Sequence, residues 1–188
     1  MLRLFFALLP APEQSAALVA QVAPIVSRLQ AQRVPAENLH ATLCFIGSVS
    51  EEKLPELQAA AGEVSARRPT LHFDALEYWR KPGVLCATAA ENAAARPARV
   101  LAERLARATS TVGLSADLKP FRAHITLARK IPAAHAAEFE SARALAPPLD
   151  VFCDRFVLMQ SRRGEFGSIY SVVSSWPLDT NGDDDKSG

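Results

Sequence analysis

Four residues stand out by type and spacing. They are His40 and Thr42 in His40-Ala41-Thr42-Leu43, and His124 and Thr126 in His124-Ile125-Thr126-Leu127. Each string reads His, any residue, Thr, aliphatic, and one falls in each half of the 188-residue chain. In an extended segment side chains alternate between faces, so each histidine and its threonine point the same way. The chain holds four histidines, and the chance of two or more of them having a threonine two places on is on the order of 1%, counted as template matches. The other two, His72 and His135, lack that partner and read as ordinary surface or edge residues.

Two imidazoles and two hydroxyls brought together suit acid–base chemistry on a phosphate. Displacement at phosphorus is in line, with the nucleophile entering opposite the departing oxygen. A base is needed on the entry side and an acid on the exit side. With an ordinary pKa near 6.5, one imidazole can be neutral while the other is protonated. The threonine hydroxyls can donate to the non-bridging oxygens, where negative charge sits. No metal or other cofactor is expected, since no His, Cys, Asp or Glu cluster has ligand spacing.

The elements around these strings follow from periodicity and punctuation. Residues 2–9 read as a strand, more consistent with a first buried strand than with a cleaved leader. Pro12 and Glu13 open a helix to about Gln32, which Pro24 should kink or split. Residues 34–38 read as a loop, and 39–46 as the first motif strand, stopped by Gly47. Ser50 can cap a helix over about 51–66. Residues 71–76 and 84–89 read as strands joined around Lys81-Pro82-Gly83. A helix over about 94–112 ends at Gly113, and the second motif strand spans 123–129. The alanine-rich stretch 133–145 reads as helix. Residues 150–161 and 168–176 read as strands joined by a solvated turn at Arg163-Gly164.

The fold class expected is α+β: a bilobal, duplicated unit with two mainly antiparallel sheets facing a central cleft and helices on the outside. Each half would supply one sheet. Strict alternation sends Leu43 and Phe45, like Ile125 and Leu127, into a core, and the His and Thr side chains toward the cleft. Residues 1–178 are expected to form this one domain, with 179–188 a disordered acidic tail.

Composition narrows the partners. Nearly half the residues, 49%, are hydrophobic, which is enough for a full core, and the net charge is +1. That is not the strongly basic surface that coats a duplex, so a nucleic-acid partner would be a short piece or an end. Cys44, Cys86 and Cys153 sit in apolar runs and read as buried reduced thiols of a cytoplasmic protein. No stretch approaches the length of a membrane span, and a monomer is expected.

Three stretches carry a resemblance to a known family. They are Arg3-Leu4-Phe5-Phe6-Ala7, residues 38–47 around the first motif, and Pro120-Phe121-Arg122-Ala123 leading into the second motif and Arg129. Together with the closing strands from Phe156 through Tyr170 to Trp176, they resemble the bacterial RNA 2′,3′-cyclic phosphodiesterases, first named 2′-5′ RNA ligases, of the two-histidine phosphoesterase superfamily. The resemblance covers roughly residues 2–178. It implies a two-lobed fold with both motifs in a water-filled cleft. The activity implied is opening of a terminal RNA 2′,3′-cyclic phosphate to a 2′-phosphate, with weak reverse 2′-5′ ligation. By analogy His40 is the acid that protonates the departing 3′-oxygen and His124 the base that activates water. Thr42 and Thr126 would bind phosphoryl oxygens.

The same resemblance makes Arg129 a phosphate ligand, although strict alternation places it opposite His124 unless the strand bends. Phe45 or Tyr170 could stack on a terminal base, and Arg122 could contact a backbone phosphate. The partners expected are RNA ends or short oligonucleotides carrying a 2′,3′-cyclic phosphate. Alternatives are a cyclic phosphodiesterase acting on small nucleotides of the ADP-ribose cyclic phosphate type, and a nucleotide-binding module without turnover.

Overall fold

The computed structural model describes residues 1–117, 120–136, 141–164 and 167–180. Among these, nine strands form two antiparallel sheets. The first, in the order β3-β1-β8-β9, contains β1 (Leu2–Leu8), β3 (Ala41–Val49), β8 (Arg155–Gly164) and β9 (Gly167–Pro177). The second, in the order β2-β6-β5-β4-β7, contains β2 (Gln32–Arg33), β4 (Thr70–Trp79), β5 (Val84–Ala89), β6 (His124–Arg129) and β7 (Arg143–Phe152). Two antiparallel sheets around a cleft agree with the fold class expected. The halves, however, do not each build their own sheet. The C-terminal strand β8 pairs with β1, and β4 and β5 of the first half join β6 and β7 of the second.

β1 is apolar on both faces, and both faces are used. Leu4, Phe6 and Leu8 enter the main core with the helix residues Leu18, Val22 and Val26. Phe5 and Ala7 instead join Val157 and Met159 in a second, smaller cluster on the opposite face, with Tyr170 packed against it. This cluster is the apolar floor beneath the first motif.

Three longer helices cover the sheets. α1 (Pro12–Arg28) begins with proline at a position that needs no N–H donor and has Glu13 in its first turn. Pro24 lies inside it without splitting it. The helix stops at Arg28 rather than near Gln32, because Gln30 takes a φ of 50° and residues 32–33 pair with β6. α2 (Leu54–Gly62) is shorter than the 51–66 expected. A 3-10 turn over Glu51–Lys53 precedes it, and Ser50 makes no side-chain cap there. α3 (Arg96–Thr111) buries Ala98, Leu101, Ala102, Leu105 and Thr109 on one stripe. Gly113, at φ 74°, closes it with its N–H donating to the Ser110 carbonyl.

Two expectations in the second half are corrected. Of the alanine-rich stretch, Ala133–Ala136 is helical (α4), 137–140 lie outside the described residues, and 143–145 belong to β7. Pro147 and Pro148 follow in the same strand, and an edge strand tolerates their missing N–H groups where a central strand does not. β7 is such an edge, and its register on β4 jumps from Leu149 to Ala144 across them. The run 150–161 is two strands, broken at Cys153-Asp154. At the C-terminus, Asp179 is tied into the fold rather than opening a loose tail: its N–H donates to the Ala66 carbonyl and its own carbonyl accepts from Arg68 N–H. The remainder of the expected tail, 181–188, lies outside the described residues. None of the described helices is long and apolar enough to cross a membrane.

Candidate active site

His40, immediately before β3, and His124, the first residue of β6, line one cleft of about 320 Å3 between the two sheets. Thr42 and Thr126 line it with them. Each imidazole is held the same way. His40 Nδ1–H donates to the Asn38 carbonyl at 2.7 Å, and His124 Nδ1–H donates to the Arg122 carbonyl at 2.8 Å. A carbonyl can only accept, so each neutral ring carries its proton on Nδ1 and leaves the Nε2 lone pair free.

The rings differ in what surrounds them. His40 meets Phe5 at 5.0 Å and the edge of Tyr170 at 5.1 Å between centroids. His124 meets Trp79 at 4.5 Å. Burial in this apolar setting is the main reason that the His40 imidazole is pulled down to about 4. Its bond to Asn38 works against that, and the charges of Arg129 and His124 add to the lowering. Burial also lowers His124, opposed by the Arg122 carbonyl and assisted by the Arg122 and Arg129 guanidiniums. Both imidazoles are therefore neutral in the open cleft at neutral pH.

Phe45 and Arg129 reach the cleft through matching irregularities. On β3 the register passes from Thr42 opposite Ala7 to Cys44 opposite Phe6, skipping Leu43. On β6 it passes from Thr126 opposite Cys86 to Ala128 opposite Leu85, skipping Leu127. Each skip is a bulge that buries two successive residues and reverses the alternation beyond it. The residue five places after each histidine therefore returns to the cleft: Phe45 in one strand, Arg129 in the other. This corrects the expectation that Phe45 turns into the core; it is 38% exposed and stacks on Phe5 at 5.1 Å. It also supplies the bend that Arg129 required. Gly47 does not stop β3. At φ 84° it passes the chain through a second bulge, which skips Ile46.

Tyr170 also lines the cleft, whereas Arg122 does not. One Arg122 Nη donates to both oxygens of Glu77 at 2.6 and 2.7 Å, and the guanidinium lies 5.3 Å over the Trp79 ring. The structure thus places Arg122 outside the cleft lining and in this pairing. Arg3, Trp79, Ser161 and Ser168 are cleft residues that the sequence reading passed over. Alternation along β1 is a signal for Arg3, which shares a face with Phe5.

Among the described residues the lining holds two guanidiniums, two imidazoles and no carboxylate. Such a surface favours an anion, with hydroxyl donors from Thr42 and Thr126. The Cys86 thiol, 3.9 Å from the Thr126 hydroxyl, is pushed up to about 12 by burial and stays uncharged. Among the described residues no group of three or more His, Cys, Asp or Glu could hold a metal ion.

Known proteins share this arrangement of strands. The RNA 2′,3′-cyclic phosphodiesterase of Archaeoglobus fulgidus is 32% identical over 117 residues, 58% of this chain and 64% of that relative. The protein of the same name from Escherichia coli is 34% identical over 96 residues, 51% of this chain and 53% of the relative. The matches thus span less than two thirds of either curated relative. The crystal structure of E. coli LigT complexed with 3′-AMP superposes with a TM-score of 0.81 at 26% identity, covering 94% of this chain and 98% of that one. A crystal structure from Thermus thermophilus superposes with a TM-score of 0.73 at 27% identity, covering 96% and 100%. Residues 8–86 and 89–170 match the family model described as LigT like Phosphoesterase. With both motif strands inside those spans, the chain belongs to the LigT-like phosphoesterase family.

Proposed function

We propose that the protein is an RNA 2′,3′-cyclic phosphodiesterase that opens a terminal cyclic phosphate to a 2′-phosphate by acid–base catalysis. The observation that carries this is the pair of Nδ1-anchored imidazoles in one cleft, each with a free Nε2 and a threonine hydroxyl two residues on. The names of the curated relatives point to the same substrate class.

In the reaction the cyclic phosphate lies between the two sheets, with its non-bridging oxygens accepting from Thr42 and Thr126 and facing Arg129. His124 Nε2 takes a proton from water as its oxygen bonds to phosphorus. The bond from phosphorus to the 3′-oxygen breaks, and His40 Nε2–H protonates that oxygen. His40 begins neutral, so it must gain its proton as the substrate binds. The phosphate monoanion supplies the counter-charge that makes this favourable. A 5′-hydroxyl attacking in place of water, with the same loss of the 3′-oxygen, would give a 2′-5′ linkage. Phe45 and Tyr170 flank the cleft and offer faces for the terminal base. The three free cysteines are buried, in keeping with a reducing, cytoplasmic setting.

The test is incubation with an oligoribonucleotide ending in a 2′,3′-cyclic phosphate, with the product end mapped and EDTA present in a parallel reaction. A 2′-phosphate formed at the same rate with chelator is expected. A 3′-phosphate, or loss of activity on chelation, overturns the mechanism. Cleavage of small cyclic nucleotides alone would reassign the substrate.

A further inference from the structure

Arg122, expected at the substrate, is instead one part of a four-residue assembly behind His124. Glu77 is its anchor. The Glu77 carboxylate accepts from both Arg122 contacts, from the Thr88 hydroxyl at 2.9 Å and from Trp79 Nε1–H at 3.3 Å. Burial opposes its ionisation, but the bonds from Thr88, Trp79 and Arg122 outweigh that and hold the carboxyl below its usual range. Glu77 is therefore an anion at neutral pH. It fixes the Arg122 guanidinium over one part of the Trp79 ring, and that ring rests against the imidazole of His124. The Arg122 backbone closes the loop, since its carbonyl holds His124 Nδ1–H. Thr88, across the β5–β6 ladder, pairs directly with His124.

We propose that Trp79 is a positioning residue for His124, and that the Glu77–Arg122 pair behind it sets how readily that imidazole accepts a proton. The proposal rests on the two-histidine reading of the site. It assigns the assembly three tasks. The Trp79 ring blocks rotation of the imidazole away from the cleft and shields it from water. The Arg122 carbonyl selects the tautomer with a free Nε2. The Arg122 charge, partly cancelled by Glu77, opposes the imidazolium and so keeps the resting base unprotonated. Arg129 in β6, Arg3 in β1, His40 and Tyr170 across the cleft and the uncharged Cys86 thiol in β5 are the other titratable or charged groups facing this region among the described residues. His40 is backed differently, its ring lying on Phe5 and Tyr170. The assembly thus gives the two motifs different surroundings, and in the proposed roles it serves His124 as the base.

Two readouts test this on the full chain: imidazole titration by NMR, and the pH profile of hydrolysis of the cyclic-phosphate oligoribonucleotide. Trp79→Leu should raise the His124 pKa toward 6.5 and lower kcat about thirtyfold with KM within twofold, and Trp79→Phe should recover most of the rate. Arg122→Met should also raise the His124 pKa. Glu77→Gln keeps an acceptor for Arg122 but removes its counter-charge, and should move His124 the opposite way. His40, whose ring does not touch the assembly, should shift less than His124 in all four variants. A Trp79→Leu variant with an unmoved His124 titration and a raised KM would make Trp79 a substrate contact and overturn the proposal, as would a rise in the Glu77→Gln variant. Wild-type protein without hydrolysis would reject the phosphodiesterase reading, while the NMR titrations would still decide the positioning claim.

Discussion

At His40 and His124 the same backbone contact, to the carbonyl two residues earlier, produces the same tautomer on different surroundings. Each ring is needed at a separate point of the proposed reaction, so His40→Ala and His124→Ala should each lower the hydrolysis rate by at least about a hundredfold. Circular dichroism and thermal melts should show the fold intact. His40 also ties the site to stability. Its folded value of about 4 lies below its ordinary 6.5, so the unfolded chain binds the proton more tightly. The contribution of neutral His40 to stability is complete above about pH 6.5 and is lost as the pH falls through 4. Melting temperature measured from pH 7.5 to 4 should therefore fall less steeply in His40→Gln than in the wild type.

Among the elements, β3 and β6 show where sequence reading succeeded and where it stopped. Period-two alternation correctly put His40 with Thr42 and His124 with Thr126 on the cleft side. It failed five residues on, because a single unpaired residue reverses every side chain beyond it. The trace of both bulges is two successive apolar residues, Leu43-Cys44 and Leu127-Ala128, all four buried. The helix expected over 133–145 is present over Ala133–Ala136 but gives way to strand at 143–145. Alanine content favoured helix there, but the pairing of Arg143 and Ala144 with β4 overrides it. The pairing of Arg122 with Glu77 was not legible, because only the tertiary fold brings those two side chains together. Gly47 offers a test at this scale. A Cβ added there meets nothing within 4 Å, so Gly47→Ala should cost only the strain of its left-handed backbone, about 1–2 kcal/mol by urea denaturation.

For the molecule as a whole, the net charge of +1 and a cleft with two arginines fit recognition of an end rather than a tract. Each phosphate neutralised on a single strand contributes about −0.7 to the slope of log affinity against log salt. Hydrolysis of short and long cyclic-phosphate oligomers should therefore share a shallow slope, of about −1. A steep slope that grows with RNA length would show that the protein tracks the backbone. The two-sheet architecture was legible from the mixed elements and the repeated motif. The exchange of strands between halves was not, because local patterning carries no record of which distant strand is the neighbour.

That exchange shapes how the protein comes into being. On the ribosome, β1 and β3 emerge early, but the strand that covers the other side of β1 is β8, near the end of the chain. A nascent chain can form a hairpin-like ladder around the first motif and the whole of α1, yet it lacks the ledge that carries Tyr170. The first sheet must wait for β8 and β9 to emerge, and contacts so distant along the chain form slowly. The cleft is consequently assembled only once β8 and β9 are in place, so a chain that has emerged only as far as β7 has no complete cleft.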